Sequence, residues 1–302
     1  FGAARVGTDL LAERPDFVIV EFSVNDESTE HFKETYEGLV RKILGAAWNP
    51  AVLLVHNVFY HNGANAQVMH AAIGRHYDLP SVSMQNSIYP EVVAGRIENR
   101  AITPDDLHPN DEGHALVASV ITYFLEQVRS GKLTGSNASF ALGAKLPVPL
   151  TKNAYEDSVR IRNAAAPDMA GLQQPTLDGF TPDETAQNEI TDCFRYGWTA
   201  KKTGDAITFL VEGSCIAVQY RKSVKLPAPV ALAVVDDDTE HAVRLDANFD
   251  ETWGDKLELA TLLEHGKEGR HIVTIRLAET HEDDAVPFYL VSVIATGRRG
   301  RD

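Results

Sequence analysis

The chain has 302 residues, of which 28 are Lys or Arg and 43 are Asp or Glu, so its formal net charge is −15 with histidine neutral. Its 44% apolar and 24% charged residues are typical of a globular chain, which excludes disordered and collagen-like proteins. Because so negative a charge repels phosphate backbones and anionic lipid surfaces, we expect neither nucleic acid nor a membrane as a partner.

Cysteine content and the start of the chain bear on the compartment. Cys193 and Cys215 are too few for a disulfide framework or a four-cysteine metal site, so we expect buried thiols in a reducing compartment. No window holds the roughly 18 uncharged apolar residues of a membrane helix, and no signal-peptide pattern opens the chain. We therefore expect a cytoplasmic protein, with secretion left open because the chain starts at Phe1, directly before periodic structure.

Short apolar runs alternate with helical periodicity in the first half of the chain. The predicted strands cover residues 16–22, 51–55 and 79–83, which are rich in β-branched and large apolar side chains. The predicted helices cover residues 32–44, 65–77 and 112–129, the last capped by Asn110 or Asp111. This alternation predicts a parallel sheet with helices on both faces.

The pattern changes near residue 133. Residues 134–150 contain Gly, Ser and Pro and are predicted to be a linker between a domain at 1–133 and a second domain at 151–302. Short apolar runs separated by turn residues follow at 206–211, 215–220, 230–235, 242–245, 271–277 and 288–295. They predict an all-β sandwich or jelly roll. The run Asp236-Asp237-Asp238 is either a solvated turn or a calcium loop.

Two polar segments of the first domain are candidates for chemistry, one directly after a predicted strand and one in a loop before a predicted helix. Asn25 and Asp26 follow the first strand, where the Asn amide could donate to a developing oxyanion, the alternative being a capped turn. Asp105 and His108 are three apart on a loop leading into the last helix, close enough for the carboxylate to orient the imidazole. The alternatives for this second segment are a metal site with His114 or a simple helix cap.

Together these segments resemble a known family. Val24-Asn25-Asp26 and Asp105-Asp106-Leu107-His108-Pro109 are similar, in order and separation, to the Asn and Asp-x-x-His blocks of the Ser-Gly-Asn-His hydrolases, also called GDSL esterases. The resemblance covers about residues 1–130 and implies a flavodoxin-like, three-layer α/β fold. It implies that Asn25 donates to the oxyanion, that His108 is general base to a serine, and that Asp105 orients His108. Asp106 fits the orienting role less well, and His114 is expected to be a partly buried helix residue.

The family's serine block is missing from this sequence. Neither Gly-Asp-Ser nor Gly-Gly-Ser occurs, and Gly2 and Gly7 are poor substitutes for the family's second oxyanion donor. We therefore expect the nucleophilic serine upstream of Phe1, in a segment of the same protein or of a separate chain. The alternative is a non-catalytic carbohydrate-binding protein.

The order of the two predicted domains is similar to that of two-domain bacterial carbohydrate acetylesterases, whose second domain resembles a carbohydrate-binding module. This resemblance implies removal of acetyl groups from a plant-type mannan or xylan without a metal or organic cofactor. Trp198 and Trp253 lie among Gly and Asp residues outside the predicted strands, so both are candidate sugar-stacking residues in loops, the alternative being core positions. Another acyl hydrolase of the same family, such as a lipase or thioesterase, is the alternative activity.

Overall fold

The computed structural model describes residues 1–133, 145–166, 173–185 and 193–296. The chain divides into two compact units. The first, here called the hydrolase unit, consists of Gly2 and Asp9–Glu156, and the second, the sandwich unit, of Phe1, Ala3–Thr8 and Asp157–Asp302. Within the described residues, no helix combines the length and the apolar character that crossing a bilayer requires.

The hydrolase unit is built on three parallel strands in the order β1-β2-β3. The strands are β1 (Phe17–Glu21), β2 (Ala51–His56) and β3 (Ser81–Ser83). The helices are α1 (Gly2–Asp9, most of which belongs to the sandwich unit), α2 (Glu30–Leu44), α3 (Gln67–His76), α4 (Ile88–Val93), α5 (Asn99–Ile102) and α6 (Asp111–Arg129). The parallel pairing confirms the alternating prediction, since parallel strands need a helical crossover between them.

Helices cover both faces of this sheet. On one face, Leu53 and Val55 belong to an apolar cluster that also takes in Phe124 and other side chains of α6. On the other face, Leu54 contacts α3 at Gly74, where an added Cβ would lie 2.9 Å from a Leu54 methyl carbon. Because β2 is buried from both sides, its sequence is a continuous apolar run rather than an alternating one.

The segment that leaves the hydrolase unit is hydrogen-bonded to α2. The buried carboxylate of Glu37 accepts from the backbone N–H groups of Leu150 and Thr151, at 2.6 and 2.7 Å. Arg41 donates to Glu156 at 2.6 Å. The unit therefore extends to Glu156, beyond the predicted linker end at residue 150; residues 134–144 of that linker lie outside the described part of the chain.

The sandwich unit contains two antiparallel sheets. One has the order β11-β10-β13-β8-β5, and the other has the order β12-β9-β14-β7-β6, with β4 also pairing with β14. The strands are β4 (Val159–Ile161), β5 (Thr176–Asp178), β6 (Thr181–Pro182), β7 (Trp198–Ala200), β8 (Ala206–Gly213), β9 (Cys215–Lys222), β10 (Val230–Val235), β11 (Val243–Asp246), β12 (Lys256–Leu263), β13 (Gly269–Glu279) and β14 (Phe288–Thr296).

One apolar core lies between these two sheets. It takes Phe209 and Val273 from the first sheet, and Val218 and Val293 from the second. Buried and less buried residues alternate along β8 and β13, as expected for strands that face a core on one side. The predicted all-β second domain is therefore confirmed in its strand content and its antiparallel pairing.

Candidate active site

Both polar segments of the hydrolase unit are hydrogen-bonded to the loop that follows β2. The carbonyl oxygen of Ser23 accepts from Ala66 N at 2.7 Å, and the carbonyl oxygen of Asp106 accepts from Tyr60 N at 2.8 Å. Ser23 also donates through its hydroxyl to the carbonyl oxygen of Asn57, at 3.0 Å. Since β1 and β2 are parallel, these segments lie at the carboxyl edge of the sheet, where α/β folds place their ligands.

His108 and Asp105 form a short hydrogen-bonded pair. Nδ1 of the imidazole lies 2.6 Å from Oδ2 of the Asp105 carboxylate. The second carboxylate oxygen accepts from the backbone N–H of His108 at 2.8 Å and from that of Leu107 at 3.1 Å. Since an ionised carboxylate only accepts, this contact assigns the ring proton to Nδ1 and leaves Nε2 as the basic nitrogen.

The electrostatics of the pair match a base with its orienting carboxylate. The side-chain hydrogen bond with His108, followed by the two backbone hydrogen bonds, holds the pKa of Asp105 well below its usual range. Asp105 therefore stays ionised at neutral pH and stabilises a protonated imidazole. The His108 side chain is 76% exposed, and its Nε2 has no partner among the described residues, so it is open to a reacting group.

The two neighbouring candidates, Asp106 and His114, do not take part in the hydrogen bond between Asp105 and His108. The Asp106 carboxylate accepts from Asn99 and from Arg100, the latter at 3.0 Å, so it does not compete for the imidazole. His114 lies in the first turn of α6 and is exposed, which corrects the expectation that it is partly buried. Asn110 caps the same helix by accepting from the backbone N–H of Gly113 at 3.0 Å, so it is Asn110, of the two predicted caps, that fills this position.

Asn25 lies in the turn directly after β1. Its backbone N–H, like that of Asp26, donates to the carbonyl oxygen of Phe22, at 3.1 and 2.9 Å. The Asn25 side chain is exposed and makes no hydrogen bond to another described residue. Its carboxamide N–H groups are therefore available to an oxyanion.

Neither of the metal alternatives gains support from the geometry. Among the described residues, no group of three or more His, Cys, Asp or Glu side chains is placed to hold a metal ion. In the sandwich unit, the Asp236 carboxylate instead accepts from the backbone N–H of Ile272 and pairs with His271, and the Asp238 carboxylate pairs with His241. Both carboxylates are therefore hydrogen-bonded to protein groups within the sandwich unit.

Comparison with solved structures shows what this chain is related to. The structure of a two-domain esterase active on acetylated mannans, co-crystallized with mannopentaose, superposes with a TM-score of 0.91 at 64% identity. The match covers 100% of this chain and 77% of that one. A second structure of a two-domain esterase active on acetylated mannans gives a TM-score of 0.90 at 65% identity, with 99% and 78% covered.

The chain belongs to this family of two-domain carbohydrate esterases. No protein-family model matches it, and no curated protein does. The family resemblance carried by Asn25, Asp105 and His108 implied an ester hydrolase, and the two related structures support this enzyme class.

The two tryptophans of the sandwich unit differ sharply in this esterase. Trp198 lies in β7 rather than in a loop, is 1% exposed, and packs edge-to-face on Phe209 with ring centroids 5.2 Å apart. The proposal that it stacks on sugar is corrected, because a ring so buried has no free face. Trp253 is 65% exposed in the loop between β11 and β12 and packs edge-to-face on Phe249 at 5.1 Å.

The esterase also contains a buried cluster that sequence reasoning missed. Its members are Asp26, Tyr36, His56 and His70, here called the buried histidine cluster. Nε2 of His70 lies 3.0 Å from Oδ2 of Asp26, although the two residues are 44 positions apart. No local motif reveals a pair so distant in sequence. The one signal in the sequence was His70 itself, a histidine on the buried, otherwise apolar face of α3.

Proposed function

We propose that this esterase removes acetyl groups from a mannan-type polysaccharide or oligosaccharide through a serine acyl-enzyme. The proposal rests on the Asp105–His108 pair, with its 2.6 Å hydrogen bond and its free Nε2, at the carboxyl edge of a parallel sheet. The activity of the two related esterases on acetylated mannans supports mannan over xylan as the substrate. The helices on both faces of the sheet support the three-layer Ser-Gly-Asn-His hydrolase fold.

In the first step, a serine hydroxyl attacks the carbonyl carbon of the acetyl ester. Nε2 of His108 takes the hydroxyl proton, and the ionised Asp105 stabilises the imidazolium that results. When the tetrahedral intermediate collapses, the imidazolium gives its proton to the sugar oxygen that leaves, and the acetyl group stays on the serine.

We place that serine upstream of Phe1. The family resemblance assigns the nucleophile to a Gly-Asp-Ser or Gly-Gly-Ser block that precedes the Asn block, and residues 1–302 contain neither sequence. Asn25 donates its amide N–H to the oxyanion of each tetrahedral intermediate. Water then attacks the acetyl-serine, giving up its proton to His108, and acetate leaves as the serine is reprotonated.

Trp253 is our candidate for binding the sugar. An exposed indole that packs on Phe249 offers an apolar surface to the apolar face of a pyranose. Because it contacts sugar rather than the reacting ester, it contributes to affinity more than to the chemical step.

The test is acetate release by the full-length protein, including the segment before Phe1, from acetylated mannan and from acetylated xylan. His108→Ala is compared with His114→Ala, which removes an exposed imidazole six positions away in the same part of the chain. We expect His108→Ala to lose at least about 10³-fold in kcat, since the base of a triad is removed, and His114→Ala to match the wild type.

Three results would contradict the proposal. Equal rates of acetate release by His108→Ala and the wild type would show that His108 is not the general base. If neither polymer released acetate, acetylated polysaccharide would not be the substrate. Faster release of acetate from xylan than from mannan would overturn the choice of mannan as the substrate and leave the rest of the proposal standing.

A further inference from the structure

The carboxylate of Asp26 connects the proposed oxyanion donor to the interior of the hydrolase unit. Asp26 directly follows Asn25 in the turn after β1, and its side chain is 14% exposed. Its partner, His70, is completely buried on α3, with Nε2 at 3.0 Å from Oδ2 of Asp26. Since the carboxylate only accepts, Nε2 of His70 is the donor in this contact.

His70 is itself held in place by α2 and by the loop before α3. Its ring stacks on that of Tyr36, with centroids 3.7 Å apart and planes 6° from parallel. Its backbone N–H donates to the carbonyl oxygen of Ala66 at 3.1 Å, and Ala66 N donates in turn to Ser23 O. The loop around Ala66 thus supports both His70 and the beginning of the turn that carries Asn25.

The other two rings of the buried histidine cluster do not offer Asp26 a competing donor. Burial, and then the neighbouring His70, lower the pKa of His56 to about 4, so His56 is neutral at neutral pH. Neither of its ring nitrogens hydrogen-bonds to a described residue. Burial, followed by the charges of Asp26 and Glu21, raises the pKa of Tyr36, and its hydroxyl also has no described partner.

We propose that His70 is a positioning residue that fixes the Asn25 carboxamide in the oxyanion site by holding Asp26. This inference rests on the role proposed above for Asn25. His70 cannot touch substrate, because none of its side chain is exposed. Its effect on the reaction passes through Asp26 and the turn that carries Asn25.

The geometry explains why such a support is needed. Among the described residues, Asp26 is the one side chain of this turn that hydrogen-bonds to α3, whereas Ser23 and Ser28 hydrogen-bond to the loop that precedes α3. An oxyanion donor acts only when it is already aimed at the developing charge, and a misplacement of about 1 Å costs on the order of 10²-fold in rate. Loss of the His70 hydrogen bond would let the Asn25 amide depart from that position.

The test compares two substitutions of His70 in the full-length protein. His70→Phe keeps an aromatic ring to stack on Tyr36 and removes the donor, whereas His70→Gln loses the ring and keeps an N–H at a similar reach. We expect His70→Phe to lower kcat on acetylated mannan roughly 10- to 100-fold with KM within about twofold, and His70→Gln to recover most of that loss. His241→Phe, which breaks the exposed His241–Asp238 pair at 2.8 Å, is the matched control and should leave kcat unchanged.

A double-mutant cycle separates positioning from simple destabilisation. If His70 acts through Asn25, then Asn25→Ala/His70→Phe has the same kcat as Asn25→Ala alone. If the two losses multiply, or if His70→Phe keeps the wild-type kcat, the inference is overturned. Should His70→Phe fail to fold, Asp26→Ala removes the acceptor instead and must show the same loss and the same lack of additivity.

Failure of this inference is distinguishable from failure of the proposed function. When the wild type releases acetate and Asn25→Ala is slow, an unaffected or multiplicative His70→Phe overturns only the positioning role. When the wild type is inactive, or when Asn25→Ala is as fast as the wild type, the proposed function itself is contradicted, together with the inference that rests on it.

Discussion

The imidazole of His108 points Nδ1 at the Asp105 carboxylate, 2.6 Å away, and leaves Nε2 toward solvent. This relationship assigns the tautomer without reference to any substrate, because a carboxylate accepts and does not donate. It also separates Asp105 from Asp106, whose carboxylate accepts from Asn99 and Arg100 instead. The carboxylate that holds the imidazole is therefore that of Asp105, three positions before the histidine.

Replacing Asp105 by Asn should slow the reaction without unfolding the protein. The carboxamide can present an N–H to His108 and so favour the wrong tautomer, which we expect to reduce kcat on the order of 10³- to 10⁴-fold. Steady-state kinetics on acetylated mannan measure this effect. Asp106→Asn is the control, because it changes the adjacent carboxylate in the same way, and a comparable loss in that variant would refute the assignment.

Asn25→Ala should reduce kcat while leaving substrate binding nearly intact. In the proposed mechanism the amide stabilises charge that develops only in the transition state, so its removal should cost about 10²- to 10³-fold in kcat with little change in KM. Asp9→Ala, an exposed substitution in the same unit, controls for the effect of truncating a surface side chain. A rise in KM with unchanged kcat would instead indicate a residue that contacts the ground-state sugar.

Glu37→Gln should destabilise the hydrolase unit. The buried carboxylate accepts from Tyr77 Oη and from the backbone of Leu150 and Thr151, and a carboxamide would place an N–H against one of these donors. We expect a loss of about 2–4 kcal/mol in unfolding free energy at pH 7, measured by urea denaturation. Glu30→Gln, an exposed glutamate on the same helix with 77% of its side chain accessible, should change little.

The same variant should show a defined pH dependence. Burial raises the pKa of Glu37, but the hydrogen bonds from Thr151, Tyr77 and Leu150 outweigh it, and the net pKa lies below the ordinary value of 4.5. A lowered folded-state pKa contributes stability that is present above the ordinary value and is lost as the pH falls through the folded one. The gap in unfolding free energy between the wild type and Glu37→Gln should therefore narrow below about pH 4.5. A gap that stays constant, or widens, would show that ionisation of Glu37 is not the source.

Trp253→Ala should weaken binding of mannan oligosaccharides and leave the chemical step alone. Loss of a stacking surface should raise KM, or the dissociation constant from calorimetry, roughly tenfold with kcat within about twofold. Tyr123→Ala removes another aromatic side chain of similar exposure, 69%, on α6 and should not affect binding. Unchanged affinity in Trp253→Ala would leave the exposed indole without a role in sugar binding.

Much of the fold could be predicted from periodicity alone. Two short apolar runs rich in β-branched residues, Phe17–Glu21 and Ala51–His56, have the composition that is typical of buried parallel strands. The six apolar runs predicted in the second half all correspond to strands, since turn residues such as Gly, Pro and Asp separate them. The start of α6 was predicted with Asn110 or Asp111 as its cap, and the structure selects Asn110, whose side-chain oxygen accepts an otherwise unpaired N–H.

Other features could not be predicted because tertiary contacts decide them. Strand β12 was missed because Glu258 and Thr261 interrupt its apolar run, and its pairing with β9 defines it. Trp198 stands among turn residues in sequence, yet its strand pairs with β14 and β6, and its ring packs on Phe209 in the core. Helices α4 and α5 have six and four residues, too few for helical periodicity to register.

The candidate site divides in the same way. Asp105 and His108 are close in sequence, so their contact could be predicted from spacing. The Asp26–His70 contact joins two segments that only the folded sheet and α3 bring together. Spacing in the sequence therefore does not reveal this contact.

Labelling of the full-length esterase with a fluorophosphonate, followed by peptide mapping, tests whether a serine upstream of Phe1 is the nucleophile that His108 activates. We expect one modified serine, upstream of Phe1 in a Gly-Asp-Ser or Gly-Gly-Ser block, with labelling strongly slowed in His108→Ala and unchanged in His114→Ala. Labelling of a serine within residues 1–302, or labelling that does not depend on His108, would contradict it.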